Sequence, residues 1–170
     1  MTARMTIERT HGTPLKGILS YESKDHAFAF RPLDPVGLSE TLAEGRASLA
    51  FGTIQLEVAV ADGLCLFAWG YSPRQGWIQA DLSVLPPRKR GACKVVGELD
   101  DGLSKQLFDA NSQVLFDRSR HQTAVILGGR TPEWSVEVAD GVSVLGTGQG
   151  LIAGLILEPV IESRRPPADA

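Results

Sequence analysis

The segment Trp69-Gly70-Tyr71-Ser72-Pro73-Arg74-Gln75-Gly76-Trp77 gathers two of the three tryptophans and one of the two tyrosines of the chain around a Ser-Pro-Arg-Gln-Gly connection. Large aromatics with a polar handle, set beside an arginine, are what ligand pockets and interface hot spots use. They bury much area at little entropic cost, and the guanidinium adds directional donors. Trp69, Tyr71, Arg74, Gln75 and Trp77 are therefore the candidate ligand- or partner-binding residues. The same rings also suit a core, and Trp69 and Tyr71 have a core-facing reading in the hairpin described below.

Other chemistries find less support. The histidines are His11, His26 and His121, and none lies within four residues of another histidine or a cysteine, so no metal-ligand spacing is present. His26 beside Asp25, and His121 after Arg118-Ser119-Arg120, read as exposed polar residues. There is no Gly-x-Ser-x-Gly elbow. Cys65 and Cys93 sit in apolar stretches with no neighbouring base, which makes them reduced, buried hydrophobes rather than nucleophiles or a disulfide. Glu57 and Glu137 occupy similar places in two strands, where a glutamate is ordinarily solvated. Gly146-Thr147-Gly148-Gln149-Gly150 superficially follows a dinucleotide fingerprint, but that motif needs a crossover helix and a returning strand. The apolar run after Gly150 ends at Pro159, so the glycines read as a connection and no cofactor is expected.

Charge narrows the partners. Seventeen basic and 20 acidic residues give a net charge of −3 with no segregated basic face, so nucleic acid is not an expected partner. Arg88-Lys89-Arg90, after Pro86-Pro87, reads as a solvated turn. The start Met1-Thr2-Ala3-Arg4-Met5-Thr6 has no apolar run after its charge. Leu151 to Val160, interrupted by Gly154 and Glu158, is far short of the roughly 20 residues of a membrane helix. The expected location is the cytoplasm, with no membrane partner.

The elements that must position these residues are mostly strands. Thr53 to Ala61, Asp62-Gly63, then Leu64 to Gly70 reads as a hairpin with a two-residue turn in which both turn residues take positive φ. With Ala61 opposite Leu64, Ile54, Leu56, Val58 and Val60 share one apolar face with Cys65, Phe67, Trp69 and Tyr71. Gln55, Glu57 and Ala59 then share the other face with Leu66, Ala68 and Gly70. Glu133 to Ala139, Asp140-Gly141 and Val142 to Gly146 repeat the grammar, with Val136, Val138 and Ala139 matching Val58, Val60 and Ala61, a hint of internal duplication. Further strands are predicted at 5–9, 15–22, 27–31, 47–52, 77–82, 94–98, 113–116, 123–127 and 151–157. One short helix is predicted from the spacing of Leu99, Leu103 and Leu107, with Asp100 or Asp101 as N-cap and an end near Asn111. Another turn or two is expected around Leu38, Leu42 and Gly45. Residues 163–170 read as a disordered tail after a single β-rich domain over 1–162.

The expected fold is mainly β, an antiparallel β-barrel or β-sandwich with one short helix. An α+β arrangement with a single covering helix is the alternative. Two functional classes fit. One is a cofactor-free binding module gripping a protein partner or a small apolar ligand. The other is a cofactor-independent isomerase, cyclase or lyase, in which a barrel cavity shapes the substrate and Gln55, Glu57, Gln79 or Asp81 assists. They differ in whether the Gln55/Glu57 face lines a closed cavity.

Overall fold

The runs of alternating and β-branched residues do form strands, because side chains that point to opposite faces let each strand bury one side against a core. The computed structural model describes residues 5–160, with 50% of residues in strands and 8% helical. In chain order the strands are β1 (Thr6–Thr10), β2 (Gly17–Glu22), β3 (Ala27–Pro32), β4 (Arg46–Phe51), β5 (Ile54–Ala59), β6 (Cys65–Tyr71), β7 (Ile78–Gln79) and β8 (Arg88–Arg90). They continue with β9 (Ala92–Val96), β10 (Ser104–Gln106), β11 (Gln113–Asp117), β12 (Gln122–Ile126), β13 (Trp134–Ala139), β14 (Val142–Gly146) and β15 (Ile152–Leu157). A helix, α1 (Pro35–Thr41), links β3 to β4. The predicted tail over 163–170 lies outside the described residues.

Six strands form one sheet in the order β10-β4-β5-β6-β3-β2, and seven form another in the order β7-β11-β12-β15-β14-β13-β8. Both sheets are open, so the architecture is a sandwich and not a barrel. One apolar cluster fills the space between them: Leu49, Phe51, Ile54, Leu56 and Val58 from the first sheet meet Val125, Val136, Val144, Leu155 and Leu157 from the second. A barrel interior able to shape a substrate therefore does not exist here. The ribbon β1–β9 bridges the sheets along one side, through Val95 N–H to the Gly63 carbonyl (2.8 Å) and Ile7 N–H to the Gly150 carbonyl (2.8 Å). After β7 the chain folds over the outer face of the second sheet and seats Leu82 on Ala124, Leu145, Ala153 and Ile156.

The β5–β6 hairpin departs from its predicted register. Gln55 pairs with Trp69, Leu56 with Ala68 and Ile54 with Gly70, and a bulge separates the Glu57–Phe67 pair from Val58–Cys65. The connection is the four-residue loop Val60–Gly63, closed by Gly63 N–H to the Ala59 carbonyl (2.9 Å), and only Gly63 takes positive φ (+76°). A one-residue slip moves every side chain of a strand to the other face. Trp69 and Tyr71 thus join Gln55 and Glu57 on the outer face of the sheet, where Trp69 and Arg46 cover Glu57, while Ala68 and Gly70 face the core. In β13–β14, Ala139 does pair with Val142 across Asp140-Gly141, but there too only the glycine has positive φ, and a bulge lies beside Glu137.

The helix predicted near 100–110 is absent, and that stretch contributes the strand β10. Gly102 sits at φ +81°, and Leu103 and Leu107 place their backbone against β4, Ser48 N–H donating to Leu103 O (2.9 Å) and Leu107 N–H to Ala50 O (2.8 Å). Asp101, expected as an N-cap, instead accepts from Arg46 N–H at the start of β4 (3.0 Å). Among the described residues the one α-helix is α1, started by Asp34, whose side chain accepts from Gly37 N–H (3.0 Å), with Pro35 fixing the first turn. Arg88-Lys89-Arg90 is likewise not a free turn. It is an edge strand parallel to β13, and Arg88 and Arg90 meet Glu137 at 3.3 and 2.6 Å.

Candidate functional site

At the corner where β2 of the first sheet approaches β11 of the second, four rings from distant parts of the chain converge. Tyr21 lies 4.8 Å from Phe28 and 5.1 Å from Trp77 between ring centroids, and Trp77 lies 5.1 Å from Phe116. Tilted pairs at these distances are favourable for ring quadrupoles and add to the area they bury. The connection after β6 sets Trp77 in place. Pro73 enters it extended, a single 3₁₀ turn over Arg74–Gly76 reverses it, and Trp77 N–H closes that turn on the Arg74 carbonyl (3.0 Å). Buried Ser72 anchors both rings: its hydroxyl accepts from Trp77 Nε1–H (2.9 Å), and its carbonyl accepts from the Tyr21 hydroxyl (2.8 Å). Burial pushes the Tyr21 phenol above its usual value, with the Arg74 charge opposing, so at neutral pH Tyr21 keeps the proton it donates.

Arg74 crosses the top of this cluster. Its guanidinium carbon stands 5.0 Å from the Tyr21 ring centroid and 5.8 Å from that of Trp77, a cation–π arrangement over both. Beside it opens a cleft of about 290 Å³, walled by Tyr21, Trp77 and Phe116, with Arg74, His121 and Thr123 among its polar groups and Pro159 and Val160 at one side. His121 ends the four-residue loop between β11 and β12 at φ +51°. Asp117 holds that loop, its Oδ1 accepting from Ser119 N–H (3.0 Å) and the Ser119 hydroxyl (2.8 Å), while its Oδ2 accepts from Leu82 N–H (2.9 Å). These hydrogen bonds, that from Leu82 foremost, hold the Asp117 carboxyl below its ordinary range.

Of the five residues singled out from sequence, Arg74 and Trp77 meet in this cleft. Gln75 is exposed on the same turn but does not line it. Trp69 and Tyr71 lie elsewhere, 42% and 51% exposed on the outer face of the first sheet, and Trp69 Nε1–H donates to Glu57 (2.7 Å). Tyr21, Phe116 and His121 carried no spacing signal, because the cleft is made by pairing of distant strands.

The remaining candidates are accounted for by structure. Glu57 and Glu137 are buried, each under arginine: Arg46 reaches Glu57 at 3.1 Å, and Arg90 and Arg88 reach Glu137. Such pairing leaves neither carboxylate free to act as a base. Gln55, bonded by the Ser104 hydroxyl (3.3 Å), and Glu57 lie on the first sheet, whereas Gln79 and Asp81 lie by the edge of the second, so the four do not converge. Cys65 and Cys93 are free and buried. Burial raises the Cys65 thiol well above its usual value and pushes Cys93 up to about 12. Among the described residues no three His, Cys, Asp or Glu side chains gather as a metal set, and no helix is long and apolar enough to cross a membrane. A larger cleft, about 520 Å³, lies on the outer face of the second sheet beside Pro86-Pro87. Several of its polar groups are already paired, Arg88 with Glu158 and with Glu137 outside the cleft, Gln122 with Glu158 (3.3 Å), and Arg120 with Asp117 (3.8 Å).

No protein-family model matches this chain, and no curated protein matches it.

Proposed function

We propose that this protein is a cofactor-free binding module that holds a small, largely apolar ligand in the cleft between Tyr21, Trp77 and Phe116, with Arg74 as its polar anchor. One observation carries the reading: Tyr21 of the first sheet and Trp77 of the connection are both fixed in place by Ser72 against Phe116 of the second sheet, while among the described residues no carboxylate pairs with the arginine that crosses them. A site whose walls are already ordered loses little entropy on binding. Apolar walls with a few convergent polar groups are the usual composition of a ligand site. An enzyme reading draws less support. Its cavity would have been a barrel interior, and in the cleft His121 has no carboxylate among the lining residues to orient it. Two free, buried thiols suit a reducing compartment such as the cytoplasm.

A second reading has one observation of its own. Trp69 and Tyr71 form an exposed aromatic pair on the outer face of the first sheet, where a protein partner would dock. One experiment separates the two. A fragment library is screened by thermal shift and by ligand-observed NMR, and hits are repeated on Arg74→Ala and Phe116→Ala. Under the cleft reading, hits raise the melting temperature of the native protein and lose affinity in both variants. Hits indifferent to both substitutions would overturn it.

A further inference from the structure

The chemistry of the occupant follows from what the cleft offers, provided the cleft is the binding site. Its donors are unequal. Tyr21 hydroxyl and Trp77 Nε1–H are already bonded to Ser72. Arg74 is different: a guanidinium carries five N–H donors, so even with Tyr21 and Trp77 beside it Arg74 has donors to spare. Among the described residues no carboxylate lies within 4.0 Å of it, whereas Arg46, Arg88 and Arg90 all meet carboxylates. The second basic group on the lining is His121, and among the described residues no carboxylate lines the cleft. His121 takes positive φ (+51°), as His26 does (+52°) in the turn between β2 and β3, a region that histidine enters more readily than most residues other than glycine.

Size limits the rest. About 290 Å³ is at the small end of the roughly 300–1,000 Å³ of drug-sized sites, room for one ring with a short arm and not for a nucleotide. A phosphoryl group brings up to two charges and three acceptor oxygens. One guanidinium edge and one imidazole match the two oxygens of a carboxylate better. We infer that the occupant is a small carboxylic acid with a planar apolar body, its carboxylate taken by Arg74 beside His121 and its body laid against Phe116 and the Pro159–Val160 wall.

The test uses matched probes on the full chain by isothermal titration calorimetry: phenylacetate, phenylacetamide, phenyl phosphate and a short peptide ending in free phenylalanine. Variants are Arg74→Ala and, as a charge control on the neighbouring loop outside the cleft, Arg118→Ala. Circular dichroism verifies that both fold. The expected result is phenylacetate binding about tenfold or more tighter than phenylacetamide, the preference vanishing in Arg74→Ala and surviving in Arg118→Ala, as a charged hydrogen bond of roughly 1.5–3 kcal/mol requires. Equal binding of acid and amide would overturn the carboxylate and leave the cleft reading intact. Tighter phenyl phosphate would overturn the choice of anion, and binding of the peptide alone would reassign the cleft to a polypeptide terminus. If no probe binds, the carboxylate inference falls, and the cleft reading stands or falls on the fragment screen alone.

Discussion

Arg74 is the residue on which the functional account turns, and its role is partly legible in the sequence. A turn between aromatic residues places an arginine at a sheet end, and that much can be read from Ser72-Pro73-Arg74-Gln75-Gly76. Which rings it would meet could not be read, because Tyr21 and Phe116 come from strands far away along the chain. Exposure at the side chain means that Arg74→Ala should change stability by no more than about 0.5 kcal/mol in urea denaturation, while ligand affinity falls. His121 gives a sharper separation. Glycine adopts positive φ without penalty, so His121→Gly should leave the melting temperature unchanged or higher and still weaken binding. A lower melting temperature would show that the histidine serves the fold. The cysteines read correctly as buried thiols, and their titration has a stated sign. An unfolded thiol ionises near pH 8.5, whereas in the native state Cys93 holds its proton to about 12. The unfolded chain therefore loses protons first as pH rises, and the contribution to stability, complete below about pH 8.5, declines from there toward pH 12. Urea midpoints at pH 7 and 10 should differ less in a Cys65→Ala/Cys93→Ala variant than in the native chain. Ellman's reagent should find neither thiol in the folded protein and both in denaturant.

At the scale of elements, most strand positions were legible, the short β8 and β10 excepted, and the register of β5 on β6 was not. Alternation marks β5 and β6 plainly, but the sequence Asp62-Gly63 suits either a two-residue turn or the end of a longer loop with only the glycine left-handed. The structure takes the longer loop. A further demand appears only in three dimensions: a Cβ on Gly63 would stand 2.2 Å from the Val95 carbonyl oxygen, where the β1–β9 ribbon joins the first sheet. Gly102 has nearly the same φ, +81°, with nothing within 4 Å of such a Cβ. Gly102→Ala should thus cost about 1 kcal/mol for its backbone alone, and Gly63→Ala distinctly more, as measured by chemical denaturation. Equal costs would mean that the contact with β9 does not constrain the hairpin. The leucines at 99, 103 and 107 show the opposite failure. Their spacing suits a helix, but Gly102 and the open edge of β4 favour an added strand, and tertiary pairing overrides a weak local preference. The two hairpins share a bulge and an arginine-paired glutamate. Their neighbours differ, antiparallel β4 for Glu57 and parallel β8 for Glu137, so the likeness does not extend to the strands beside them.

Taken whole, the molecule is a filled sandwich whose functional possibilities lie at its margins. The composition already pointed to strands, and Leu56, Val58, Val144 and Leu155 are completely buried between the open sheets, so the clefts lie toward the edges, one at the four-ring corner and one of about 290 Å³ between α1 and Cys65, Leu66 and Val138. Leu56→Ala should accordingly cost about 2–5 kcal/mol in urea denaturation without touching the cleft. What composition could not reveal was the corner at which an arginine turn, two strand aromatics and a histidine loop meet. The most direct measurement of the central claim is a ¹H–¹⁵N spectrum of the three indole N–H groups during titration with a ligand found by the fragment screen. Trp77 lies in the cleft, Trp69 on the outer face of the first sheet, and Trp134 on β13. The account predicts that the Trp77 signal shifts and saturates while those of Trp69 and Trp134 hold still. A saturating shift of Trp69 with Trp77 unmoved would contradict it and assign binding to the outer face.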